Sequence, residues 1–234
     1  MNRLAYAFGL LSVCLIACGG GGDPGPGPLK HHLDEQYIAA IPLEEKNAML
    51  EAQNEYHRAK AAKMKAEADY NDAGTQLDIG KNEVKQAKLD RDSAQAKKKA
   101  AEESGDQNRI NLAKRDERVA SLQVTAAEKK VSALEARRTW LKKLLRYHEE
   151  NTYAAEARYE LAKANLAKAK NISPKGFAHQ PFVEQQEDRS RRAQRAKLIA
   201  DQERDKFMAK KKEWEAQKRE ADQARGIDTA ATGN

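Results

Sequence analysis

Between Met49 and Ala101 the chain repeats every seven residues. Ala52, Ala59, Ala66, Ala73, Gly80, Ala87, Ala94 and Ala101 fill one position of successive heptads, and none is larger than alanine. Three residues ahead of each stand Met49, Tyr56, Lys63, Tyr70, Leu77, Val84, Arg91 and Lys98. Alternating steps of three and four keep both lines on one side of a helix, the side a partner helix covers. Residues no larger than alanine let two backbones come close. A chain with this feature is committed to long paired helices. Composition agrees: charged residues make up 34% and aromatics 6%, which is too polar for a thick core. Without the repeat such values would fit disorder, but a two- or three-helix coil needs only a thin apolar stripe. No stretch alternates as a strand would, and a compact enzyme core with a concave pocket is not expected.

Pro42 suits the first turn of a helix, with Glu44 and Glu45 at its positive end, so the first helix is read from 42 to 103. Gly80 lies on the seam, where close approach accounts for it, whereas Gly74 lies off the seam and marks local flexibility. Ser104-Gly105-Asp106-Gln107-Asn108 combines turn formers with capping residues and breaks the pattern. A second helix from 108 to 170 keeps the same period through Ile110, Val124, Val131 and Tyr159, and through Ala113, Ala120, Leu134 and Leu141. Each helix is about 90 Å long at 1.5 Å per residue. Folding the chain at Gly105-Asp106 sets Ala101 against Ile110, Ala87 against Val124, Gly80 against Val131, Tyr70 against Leu141 and Met49 against Ala162. Small residues face large ones through most apolar layers, the condition for dense packing. Polar layers, such as Ala94 with Glu117 and Lys63 with His148, discourage slipped registers.

Pro174 and Pro181 end the second helix and define a linker over 171–181. A third helix over 182–225 carries Ala193, Ala196, Ala200, Phe207, Trp214, Ala221 and Ala224 on one stripe. Trp140, Leu144 and Tyr147 form a second apolar line on helix two, outside the hairpin seam, and are expected to receive it. Residues 226–234 read as a disordered tail. The expected fold is all-α: an elongated antiparallel coiled-coil hairpin of two long helices (42–170, turn near 104–108), with a shorter third helix folding back on it.

Chemistry-bearing residues are sparse. His31-His32 is the only adjacent histidine pair, and with no third ligand nearby it reads as solvated polar surface. No phosphate loop, nucleophile motif or metal-binding helix motif occurs. No catalytic residue, metal, cofactor or small-molecule substrate is therefore expected, and no enzymatic activity. Charge is uneven: 15 Lys/Arg against 8 Asp/Glu over 108–170, but 12 against 13 over 43–103. The densest basic run holds Arg137, Arg138, Lys142, Lys143 and Arg146 around Trp140 and Leu144. Either the apolar residues pack inward and the cations stay wet, or an anionic partner such as lipid A phosphate, peptidoglycan carboxylate or an acidic protein docks there.

The N-terminus carries a resemblance. Arg3 is followed by an apolar stretch, 4–17, too short to span and remain as an anchor, which ends Leu15-Ile16-Ala17-Cys18. This resembles the lipobox of bacterial lipoprotein signal peptides. It implies cleavage between Ala17 and Cys18, removal of 1–17 with Cys14, and lipidation of Cys18, which leaves no thiol for a disulfide. The following residues to 41, opening Gly-Gly-Gly-Gly-Asp-Pro-Gly-Pro-Gly-Pro, read as the tether usual after a lipidated cysteine, with a short helix or ordered linker in 30–40. Gly19, rather than Asp, after the cysteine is similar to outer-membrane sorting in enterobacterial lipoproteins. The compartment so implied is the inner leaflet of the outer membrane, facing the periplasm, where nucleic acid is not a partner.

Two functions of different kinds follow. A lipid-anchored helical rod is similar in build to the murein lipoproteins and would act as a structural spacer or scaffold of the cell envelope. Those link to peptidoglycan through a C-terminal lysine, whereas this sequence ends Ala231-Thr-Gly-Asn234, so covalent linkage by that route is not expected. The alternative is an adaptor or regulatory subunit of an envelope-spanning machine for secretion, efflux or motility. The hairpin resembles those of periplasmic efflux adaptors, without the strand-rich domains that flank them.

Overall fold

The structure is a computed structural model that describes residues 25–226. It is all-helical, with α1 over Asn47–Ser104, α2 over Gln107–Ala169 and α3 over Gln180–Arg225. The α1–α2 turn is as short as a helix reversal can be. Gly105 takes a left-handed φ of 70° as the cap of α1, a conformation that favours glycine. The Asp106 side chain then accepts from the backbone N–H groups of Asn108 and Arg109 at the start of α2.

The heptad lines become the α1–α2 seam. Ala59, Ala66, Ala73, Gly80, Ala94 and Ala101 are buried along α1. They meet Ala113, Ala120, Val124, Leu141, Thr152, Ala155 and Tyr159 of α2. Two observations fix the register. A Cβ added to Gly80 would lie 2.7 Å from Leu134 Cδ1 and 3.6 Å from Val131 Cγ2, so glycine there permits the close approach. The Thr152 hydroxyl lies 2.8 Å from its own helix's His148 carbonyl and 3.3 Å from the Ala59 carbonyl across the seam. Ion pairs bridge the same helices at the flanks, as between Lys130 and Glu83 at 2.5 Å and between Lys88 and Glu128 at 2.9 Å. Gly74, off the seam, has only the Arg138 side chain near it.

Helix α3 returns along the other side of α2. The Trp140 and Phe207 rings stack with centroids 5.6 Å apart and planes 7° from parallel, and Lys129 pairs with Glu213 at 3.1 Å further along. Both α1 and α3 pack on α2, but no Cα of α1 comes within 8 Å of one in α3. The helices form an open layer with α2 in the middle, not a closed bundle. The two apolar lines of α2 dictate this, because they lie on different faces and each takes one partner.

The start of α1 differs from the sequence reading. Pro42 is extended (ψ 149°) and precedes a single 3-10 turn, Leu43–Glu45, so the α-helix begins only at Asn47. Ahead of it, residues 25–41 do not hang free as a tether. They run as a strap over α2 and α3 with Leu29, Leu33, Ile38 and Ile41 buried. Another 3-10 turn, Glu35–Ile38, is capped by Asp34. The strap must reverse direction over the open end of the hairpin to enter α1, and that reversal displaces the helix start. Leu33, Ile38 and Ile41 build an apolar core with Met49, Tyr159, Ala164, Ala167 and Phe182.

Candidate functional site

The basic residues expected to form one patch are divided by the layer. Arg137 and Arg138 turn toward α1, where Arg137 lies 4.0 Å from Asp72 and the Arg138 guanidinium sits 5.5 Å from the Tyr70 ring. Lys142 is exposed. Lys143 and Arg146 turn instead toward α3, and there they meet cations that the pattern in α2 alone could not reveal. Arg191, Arg192 and Arg195 project from α3 into the same cleft, a cavity of about 530 Å³ that Gly25 and Pro26 also line. Within it Arg192 pairs with Asp188 at 2.8 Å, with Arg191 at 3.9 Å from the same carboxylate. Arg146 pairs with Glu150 at 2.9 Å. The second Glu150 oxygen is buried without a partner among the described residues. Among the described residues, five cations and two acids line the cleft.

Aliphatic surface adjoins this charge. Leu198 and Ile199, one turn beyond Arg195, are 60% and 45% exposed. The sequence held a readable signal for this half of the site, since Arg189-Ser-Arg-Arg-Ala-Gln-Arg195 is the densest arginine run in the chain. What it lacked was the register that sets the run beside Lys143.

A second polar group fastens the strap. Glu160 and Lys163 of α2 are 5% and 4% exposed and lie 2.7 Å apart. Glu160 accepts from the Leu33 backbone N–H at 2.9 Å, and Lys163 donates to the Leu33 carbonyl at 2.8 Å. One ion pair thus satisfies both backbone groups of one strap residue. His32 adds a contact to Glu160 at 3.5 Å, so of the histidine pair one member joins this clamp, while His31 lies against the Phe182 ring. Tyr159 donates to Glu35 at 2.6 Å; burial, with that bond, holds its phenol well above the usual range. Burial likewise raises the Glu156 carboxyl, although His32 pulls it the other way. At the upstream end of the strap, Arg189 donates to the Gly27 and Pro28 carbonyls at 2.8 and 3.1 Å. Spacing alone would make Glu160 and Lys163 an ordinary exposed i,i+3 pair, so nothing in the sequence separated them from the solvated faces.

Among the described residues no group of His, Cys, Asp or Glu is placed to hold a metal ion. No described helix is long and apolar enough to cross a membrane. Ala17 and Cys18, the expected cleavage and lipidation positions, lie outside the described residues, as does the tail from 227. Comparison with family models, curated proteins and solved structures finds no match for this chain. What the arrangement offers chemically is a concave cationic surface beside exposed aliphatic side chains, held on a rigid helical layer.

Proposed function

We propose that the protein is a lipid-anchored structural spacer or scaffold of the bacterial cell envelope, held at a membrane through Cys18 and facing the periplasm. The observation that supports this reading is the pairing of a lipobox-like Leu15-Ile16-Ala17-Cys18 with a body made of long helices side by side. A layer about 90 Å long, built on two separate seams of one central helix, resists bending better than a single helix and suits the holding of partners at fixed distance. The buried clamp at Leu33 supports it further: pull applied through the N-terminal chain is delivered to α2 and α3 before it reaches α1.

The test is acylation. Cells expressing the protein are fed labelled palmitate, beside cells expressing Cys18→Ser. Label in the parent, and an unlabelled, unprocessed variant, is the expected result. A mature form that still carries label in Cys18→Ser would remove the anchor and this function with it.

A further inference from the structure

The strap fixes where the chain leaves the body, and that position decides how an anchored molecule can stand. Gly25 and Pro26 lie in the basic cleft beside Lys143 and Arg146, part-way along α2 and not at either end. From Arg146 the helix runs about 35 Å to its end at Ala169 and about 60 Å to its start at Gln107. Cys18 is seven residues before Gly25, a reach of at most about 25 Å fully extended. Cys18 itself therefore reaches neither end of the rod. The anchored body is held by its side, with the face that bears the cleft nearest the bilayer.

That face has the chemistry of a membrane surface contact. Lys143, Arg191 and Arg195 line the cleft. Leu198 and Ile199 stand exposed next to them, on the same stretch of α3 as Arg191 and Arg195. Cations that meet headgroup phosphates, beside aliphatic side chains that enter the acyl boundary, are the two components of interfacial binding. The Arg189 bonds to Gly27 and Pro28 keep the strap, and with it the exit point, on this face.

We propose that the α2–α3 face carrying Lys143, Arg191, Arg195, Leu198 and Ile199 is a second membrane contact. It binds the anionic phospholipid headgroups of the bilayer that holds Cys18 and lays the rod along the membrane. This rests on the lipid-anchor reading for its geometry, and the test separates the two. The full chain with Leu198→Cys is purified as processed in cells and labelled with a polarity-sensitive fluorophore. It is then reconstituted in vesicles of phosphatidylcholine alone or with phosphatidylglycerol. The label should shift to the blue, and be quenched by lipid-borne nitroxide, on the phosphatidylglycerol vesicles only, and high salt should reverse both. Replacing Arg191 and Arg195 by alanine should lower the ratio of membrane-facing to water-facing label about thirtyfold, about fivefold for each cation, with helicity unchanged by circular dichroism.

A label that stays in water on both vesicles would overturn the membrane face even if the protein floats with them. A label buried before lipid is added, in proportion to protein concentration, would overturn it in favour of a second copy. Protection in envelope extracts but not on vesicles would overturn it in favour of an acidic protein or polymer. Failure to float with phosphatidylcholine vesicles, with flotation and the shift retained on phosphatidylglycerol vesicles, would sink the anchor and keep the face.

Discussion

The two ends of the rod are built on different principles. At the open end, the strap, α1, α2 and α3 converge on one core of large apolar side chains: Leu33, Ile38, Ile41, Met49, Tyr159 and Phe182. A buried Glu160–Lys163 pair sits beside it, bound on both sides of Leu33. Toward the tip α3 ends beside Arg115, and beyond it only α1 and α2 are paired. Their layers are small residues such as Ala94, Ala101 and Ala113, and the Lys98–Glu117 pair is partly open to solvent. The same pair of residue types serves at both ends, and burial decides what it is worth. At the tip, water already solvates each charge. At the open end, the two charges depend on each other, on the Leu33 backbone and on the His32 and Tyr159 rings beside them.

This difference gives the largest expected effect. Glu160→Ala leaves Lys163 buried without a counter-charge and the Leu33 N–H without an acceptor. Removing one member of a buried pair typically costs about 3–5 kcal/mol. The variant should melt far below the parent, and protease should cut the strap near Leu33 first. Lys98→Ala at the tip should leave the melting temperature nearly unchanged. Equal losses from the two substitutions would mean that the open end is no better sealed than the tip.

The seam between the ends gives the next effect. Ala73 is 1% exposed, with no room for bulk, while Ala68 on the same helix is exposed. Ala73→Trp should cost about 1–3 kcal/mol through overpacking, read as a drop in melting temperature that Ala68→Trp does not share. On the second seam, Phe207→Ala removes the stacking partner of Trp140 and should cost about 1–2 kcal/mol. It should also shift Trp140 emission to the red, while α1 and α2 stay paired. A red shift with loss of all helicity would mean that the seams are not independent.

The contrast also explains what could be read from the chain alone. The α1–α2 seam was legible because a period leaves a trace at every turn, and small-to-large pairing then fixed the fold point at Gly105-Asp106. The return of α3 was legible from Trp140 and from Phe207, large residues needing cover. The strap left no such trace. Leu29, Leu33, Ile38 and Ile41 follow no period, and their burial depends on a clamp whose members look like surface charges in sequence. The basic cleft was half legible for the same reason: Lys143 and Arg146 are near one another in the chain, but their neighbours Arg191 and Arg195 are brought there by the α2–α3 register.

Glycines separate the seam from its flank at smaller cost. Gly74→Ala adds helix propensity of about 1 kcal/mol and meets only the Arg138 side chain, at an ordinary contact distance of 3.9 Å, so stability should rise. Gly80→Ala gains the same propensity but drives its methyl to 2.7 Å from Leu134 Cδ1. Leu134 can rotate away only by loosening its layer, so the gain should be largely offset. A Gly80→Ala variant as stabilised as Gly74→Ala, by urea midpoint, would show that the seam is looser than its geometry.

The smallest effect tests how dry the seam is where it approaches the open end. His148 lies in the α1–α2 seam, in a groove with Ala59, Ala62, Arg58 and Arg158. Its Nδ1 is buried without a hydrogen-bond partner among the described residues. Burial disfavours the imidazolium and lowers the folded pKa from the ordinary 6.5. Below that value the unfolded chain takes up a proton that the folded chain refuses until lower pH. The unfolded state then binds more protons, so stability falls as pH drops below about 6.5 and is unaffected by this group above it. The half-buried Glu156 carboxyl, raised from 4.5, acts in the opposite sense, favouring the folded state as pH approaches 4.5. Comparison with a matched variant isolates the histidine. Urea midpoints at about pH 7.5 and about pH 5.5 should differ more for the parent than for His148→Gln, which cannot take a proton. Parallel slopes in the two proteins would mean that water reaches His148 in the folded state, and that the dry core stops at the strap.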